Sequence, residues 1–417
     1  MSALSIAIGL HADDHAGFRQ PAEFEPQAAI WLSASLDNPD FMRVTTDLVT
    51  ALQPQVTVKM LLEDDATMAK ARDELKRKGI KTEAIKFVVD PLATYMMRDS
   101  AVFLTNGKGD LAVLDLKWSD YGLPGWAKQV SPTDPKREAR IVGYLNTAQD
   151  GNDRSIAKAC GAAVVASPLY LENACFEVNG QGVMLICESL ALERNPGLGR
   201  AEIETALRRI PGITKVIWLA EGLAEDPLER STITGRYIGM GAFGHTDEFV
   251  RFADASTILL CWPDEAPGDV HPVTRLNRER LQRNYDILAQ ATDQAGRPFR
   301  IVKVPMPNLI EKKVKLLGKD EQVEGWYDFH FPESEGRKAG DELIQVASAS
   351  YLNLIIANQL VLVPSYVEDG TPATVQERVR RILAAAFPGR TIQFIHATAL
   401  NWHGGGPHCA TLSEPRR

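Results

Sequence analysis

A chain of 417 residues with 45% hydrophobic and 24% charged residues can bury a large core, and its length suits one large α/β domain or two smaller ones. A formal net charge of -8 argues against nucleic acid or an anionic membrane as the main partner, since either would reward a basic face. Five cysteines (Cys160, Cys175, Cys187, Cys261 and Cys409) without a close CxxC pair fit neither a disulfide framework nor a zinc cluster, which predicts reduced thiols in the cytoplasm. The first residues lack the basic flank of a signal peptide, and no apolar run is long enough to span a bilayer.

In chain order, short apolar runs predict strands at Ala28–Leu32, Val56–Leu62, Ala84–Val89, Ala101–Leu104 and Leu111–Leu116. Helical spacing of apolar residues predicts helices at Phe41–Gln53 and Asp65–Lys78 among them, and at Ile156–Cys160 after them. Further on come strands Val183–Cys187 and Val216–Leu219 around a helix at Arg200–Ile210, then strands Thr257–Trp262 and Ile301–Val304 around a helix at Val273–Gln294. Part of Asn353–Val363, a helix at Thr374–Phe387 and a strand at Ile392–His396 complete an α/β alternation without tandem repeats. Pro305–Lys338 mixes charge, glycine and the aromatics Trp326, Tyr327, Phe329 and Phe331. It is expected to be an irregular excursion from a single domain, either a lid or a dimer arm, or a surface loop.

Reactive residues crowd into three segments. Gly404-Gly405-Gly406-Pro407-His408-Cys409 sets a thiol beside a glycine-rich loop, where a substrate can approach closely. In Gly244-His245-Thr246-Asp247, extended backbone would turn His245 and Asp247 to the same face, pairing a proton-transfer group with an anionic anchor. In Met96-Met97-Arg98-Asp99, the carboxylate stands at a strand entry. Glu172, after the apolar run Leu169-Tyr170-Leu171, is a weaker candidate for an orienting carboxylate.

As an ordered set, these segments resemble the agmatine deiminase and bacterial-type peptidylarginine deiminase family of guanidino-modifying enzymes. Met96-Met97-Arg98-Asp99 looks like its Trp-x-Arg-Asp, Glu172-Asn173-Ala174 matches the Glu of its Glu-Gly-Gly, and Arg194-Asn195-Pro196 matches Arg-Asn-Pro. Gly244-His245-Thr246-Asp247, Ser350-Tyr351-Leu352-Asn353 and the loop ending in Cys409 follow in the family's order. The resemblance implies an α/β fold, the five-bladed propeller of ββαβ-type units called a pentein. It also implies a hydrolase needing no metal or organic cofactor and acting on a small-molecule guanidino substrate, with agmatine the leading one. Cys409 would attack the guanidinium carbon, His245 would move protons, Glu172 would orient His245, and Asp99 and Asp247 would hold the cation. Met96, Arg98, Asn173, Gly405 and Gly406 would complete the substrate pocket. Met96 stands where the family has Trp, Asn173-Ala174 where it has Gly-Gly, and Glu248 where Asn is common, so the specificity set is altered. Peptidyl arginine, another guanidine, amidino transfer to an amine, or guanidine binding without catalysis are the alternatives; whether the chain forms a homo-oligomer is left open.

Overall fold

The computed structural model describes residues 17–143, 147–264, 271–317, 322–323 and 329–417. The first unit runs β1 (Gln27–Leu32), α1 (Pro39–Leu52), β2 (Thr57–Leu62), α2 (Asp65–Arg77) and β3 (Ile85–Val89). The second has β4 (Val102–Thr105), β5 (Leu111–Lys117), helices α3 (Leu123–Val130), α4 (Pro135–Val142) and α5 (Asn152–Cys160), and β6 (Ala163–Tyr170). The third has β7 (Phe176–Val178), β8 (Val183–Cys187), α6 (Glu188–Arg194), α7 (Arg200–Leu207) and β9 (Lys215–Leu219). After β10 (Leu228–Thr234) and β11 (Tyr237–Ala242), the fourth runs β12 (Val250–Asp254), β13 (Thr257–Trp262), α8 (Pro272–Gln290) and β14 (Arg300–Pro305). Then β15 (Glu311–Leu317), β16 (Gln322–Val323) and β17 (Glu342–Val346) precede the fifth, which has β18 (Ile355–Ala357), β19 (Leu360–Ser365), α9 (Ala373–Ala386) and β20 (Thr391–His396). The chain ends with α10 (Thr398–Asn401) and β21 (Leu412–Pro415).

Units two to five each form a three-stranded sheet in which an antiparallel hairpin is followed, across one or more helices, by a parallel strand. In the first unit the antiparallel partner of β1 is β21, with Ile30 opposite Ser413. The C-terminal strand therefore completes the sheet that the N-terminal unit begins. Central strands such as β8 are buried on both faces, which is why Val183–Cys187 reads as an unbroken apolar run. Helix starts are set locally: Asn38 accepts hydrogen bonds from the amides of Asp40 and Phe41, and Pro39 occupies the first turn of α1.

The strand expected in part of Asn353–Val363 is present as a hairpin, β18 and β19, turned at Asn358 with φ 52; the Asn358 side chain accepts from the Gln27 amide and donates to the Gln27 and Gln55 carbonyls. The described residues of 305–338 are more regular than the composition suggests. β15 joins β10, β11, β16 and β17 in a five-stranded sheet, and Phe329 and Phe331 pack with Ile238, Val314, Leu316 and Leu343. Trp326 and Tyr327 lie outside the described residues.

The units are tied together by buried charge as well as by apolar packing. Arg251 on β12 is fully buried; it donates to the carbonyls of Leu352 and Leu354 ahead of β18 and pairs with Glu177 on β7 and with Glu23 ahead of β1. Its substitution by Met should cost about 3–5 kcal/mol, because buried Glu177 loses its cation partner and Glu23 one of its own. A denaturant midpoint within error of the parent would contradict this role.

Candidate active site

The short turn ahead of a unit's leading strand recurs as the carrier of functional groups. Asp99 lies three residues before β4, Glu172 four before β7, Asp247 three before β12, Asn353 two before β18 and Cys409 three before β21. The units thus bring residues far apart in sequence into one buried cluster. Such turns free a side chain from the alternation of a strand while the strand fixes its origin.

Cys409 is 5% exposed. Its Sγ receives a hydrogen bond from Asn353 Nδ2 at 3.1 Å and lies 3.4 Å from Asp247 Oδ2 and 3.8 Å from Glu248 Oε1. Burial, then the charges of Asp247 and Glu248, push the thiol well above its ordinary pKa. Asn353 also reaches Asp247 and Glu248 through Nδ2, and its Oδ1 accepts from the His408 amide. Gly406 makes this possible, since a Cβ there would collide with Asn353 Oδ1.

Asp247 Oδ2 also faces His408 Nδ1 at 2.6 Å, while His408 Nε2 lies 2.8 Å from Glu23, so the imidazole bridges two carboxylates. Burial alone would raise the Asp247 carboxyl, but the His408 hydrogen bond and charge outweigh it, and the group is held below its ordinary range. Glu248 goes the other way: burial and then the neighbouring Asp247 raise it well above the carboxylate range. Asp247 Oδ1 and Glu248 Oε2 are buried without a hydrogen-bond partner, leaving acceptors for an N–H-rich ligand.

His245 Nε2 lies 3.3 Å from Glu172 Oε2. Burial opposes its charge, yet the bond to Glu172 and the charge of Asp99 raise it to about 9. Glu172 is itself gripped by Arg194 at 3.0 Å, both fully buried, and is pulled down to about 2 despite desolvation. Asp226 holds the His245 loop by accepting from the amides of Ala242, Gly244 and His245. Asp99, raised by burial to about 6 with His245 opposing, accepts from Tyr121 at 3.0 Å and from the Ala174 amide at 3.2 Å.

Cys409, His245, Asp99 and Met96 line a cavity of about 310 Å³. Phe41, Tyr95, Met240 and His403 give it an apolar side, and Asp120, Tyr121, Glu229 and Arg230 a polar one. Asp247 and Glu172 stand behind this wall, Asp247 against the sulfur and Glu172 against His245. The expectation that Arg98 and Asn173 wall the substrate pocket is corrected. The turn Met97–Ser100 sends Asp99 and Arg98 apart, and Arg98 is buried against Glu23. Asn173 donates to the Ala101 carbonyl, and both residues line a smaller cavity of about 40 Å³ behind the cluster. Gly405 lies against Cys409, and Gly406 against Asn353. The sequence reading gave no role to Tyr121, Glu23, Asp226 or His408. Asn353 was visible as a motif match without a chemistry. Among the described residues, two triads bring metal-ligand atoms within 4.8 Å, Glu172–Cys175–His245 and Asp247–Glu248–Cys409; in the first, the carboxylate is already paired with Arg194.

A cavity lined by a thiol, an imidazole and carboxylates has the chemistry of a hydrolase of amidine C–N bonds. The model of the Porphyromonas-type peptidyl-arginine deiminases matches residues 19–415, and the chain belongs to that family. A Streptomyces avermitilis protein named "Putative agmatine deiminase" is 29% identical over 415 residues, covering 96% of this chain and 98% of its own. The agmatine deiminase of Enterococcus faecalis shares the fold at a TM-score of 0.71, with 22% identity and 97% of each chain covered. The C. jejuni agmatine deiminase with substrate bound gives 0.67, 18% identity and coverage of 95% and 96%.

Gly406→Ala should displace Asn353 and strip the thiol of its hydrogen bond. Turnover should fall by about tenfold or more, equivalent to about 1.4 kcal/mol, while the melting temperature changes little. Unchanged turnover would remove Asn353 from the account.

Proposed function

We propose that this chain deiminates a small guanidino compound, agmatine first among them, to the ureido product and ammonia. What carries the reading is that Cys409, His245 and Asp99 share one cavity wall with Asp247 directly against the sulfur. A guanidinium is planar and cationic, so carboxylates hold it in a fixed orientation through paired N–H bonds. Bound near Asp99 and Asp247, its charge offsets the carboxylates that oppose thiolate formation, and the thiol proton passes to solvent water as the cation settles.

Cys409 then attacks the guanidinium carbon. His245, protonated at neutral pH, gives its proton to the departing ammonia, and an amidino-thioether cation remains on the sulfur. Water, relieved of a proton by the now neutral His245, adds to the same carbon; the C–S bond breaks and the ureido product leaves. The replacement of a cysteine by serine in the substrate-bound C. jejuni relative accords with a sulfur nucleophile.

The fold supports the same reading. The five similar sheets, closed by β21 on β1, are taken as the five blades of an α/β-propeller forming one domain. No described residue of 305–338 lines the cavity, which supports an arm rather than a lid for that stretch; β10 and β11 of the same sheet supply Glu229, Arg230 and Met240 to the cavity wall. Five free cysteines suit the cytoplasm; among the described residues, no helix is long and apolar enough to cross a membrane.

A second substrate has one observation in its favour. Arg230 on the cavity wall would meet the carboxylate of free or C-terminal arginine, which agmatine lacks.

Ammonia release from agmatine, arginine and an arginyl peptide should single out agmatine, and Cys409→Ala should reduce it by orders of magnitude in a folded protein. No turnover of any guanidine would refute the proposal. The pH profile of kcat/KM should rise through about 6, as Asp99 ionises, and fall through about 9, as His245 loses its proton. A profile still rising above pH 9 would rule out His245 as the acid.

A further inference from the structure

Tyr121 reaches the site from an unusual backbone. Asp120, Tyr121 and Gly122 have successive φ values of 51, 54 and 84, a left-handed run that side-chain-bearing residues adopt only under constraint. Gly122 is needed where the run packs, since a Cβ there would collide with the Glu193 carboxylate and lie 2.6 Å from Arg194 Nη1. Arg194 is the residue that grips Glu172, which in turn holds His245. The strained loop is therefore braced on the group that orients the imidazole.

What the strain delivers is a phenol inside the site. Tyr121 is half-buried on the cavity wall; its hydroxyl donates to Asp99 Oδ2 at 3.0 Å, and its ring centre lies 5.9 Å from that of His245. Trp118 packs edge-on against the same ring at 5.0 Å. With the Ala174 amide on Oδ1, both Asp99 oxygens are oriented, and each keeps a lone pair for a ligand.

We infer that Tyr121 is a positioning residue for cation capture, its hydroxyl fixing Asp99 in the orientation that receives the guanidinium. This rests on the guanidine reading of the cavity. The groups that face Asp99 are Tyr121 from the loop after β5, Glu172 and the Ala174 amide ahead of β7, His245 and Asp247 ahead of β12, and Cys409 ahead of β21. Of these, Tyr121 is a neutral side-chain donor to the carboxylate, so its loss raises the pKa of Asp99 while leaving the charges in place.

The test is Tyr121→Phe in the full chain. KM for the guanidine should rise about tenfold or more, as expected when a hydrogen bond to a charged group is lost, with kcat much less affected. The acid limb of kcat/KM should move to higher pH. Unchanged KM and acid limb, or a loss confined to kcat, would overturn the assignment. Alkylation of Cys409 separates this from the functional reading. The cationic probe 2-chloroacetamidine should react more slowly in the variant, while neutral iodoacetamide reacts at the parent's rate. Equal slowing of both probes, or of neither, would refute the role of Tyr121. Absence of guanidine turnover in the parent would refute the function and leave the probe ratio as the test of Tyr121.

Discussion

A thiol and several carboxylates share one desolvated cluster, and the rest of the site follows from that constraint. Charges so close in a medium of low polarity cannot all be ionised without cations among them. The protein supplies some: Arg194 for Glu172, His408 for Asp247, and Arg98 and Arg251 for Glu23. It stops short of full compensation. Glu248 is pushed toward its neutral form, Asp99 is raised to about 6, and the Cys409 thiol is held protonated by its neighbours. The missing charge is what a guanidinium brings. On the proposed reading, binding and activation of the thiol are one event, and a thiol that stays neutral in the empty site reacts slowly with reagents that bring no cation.

The architecture solves the accompanying problem of precision. Each unit offers the turn ahead of its leading strand, and the sheets fix where those turns begin. Cys409 depends on β21, which is held in register by β1 at the other end of the chain. His245 depends on Asp226, whose carboxylate accepts from the amides of Ala242, Gly244 and His245. The ion network around Arg251 joins the segments ahead of β1 and β18 to β7 and β12, so damage to it would spread to several site residues at once.

Much of this was legible in the sequence. Val183–Cys187 and Thr257–Trp262 are buried central strands and read as such, and the spaced reactive segments were visible because glycine and strand-entry settings surround them. Strands such as β10, with its polar LERSTIT, and the three-residue β7 carried too little periodicity to stand out. Arg98 was placed in the pocket through the resemblance of its segment to the family's Trp-x-Arg-Asp, yet the turn at Met97–Ser100 buries it against Glu23. Tyr121 escaped because its signal is a backbone conformation, which composition does not reveal. His408 was noticed only as a neighbour of Cys409; its role depends on Glu23, 385 residues away in the chain.

The central claim is that the cation, and not the empty site, draws the proton from Cys409. Ultraviolet thiolate absorbance, taken as the difference between the parent and Cys409→Ala, reads this directly when titrated with and without an unreactive alkylguanidinium. The account predicts no thiolate signal at neutral pH in the free protein and its appearance as the guanidinium saturates the site. A thiolate already present in the free protein at neutral pH, unchanged by the ligand, would contradict it.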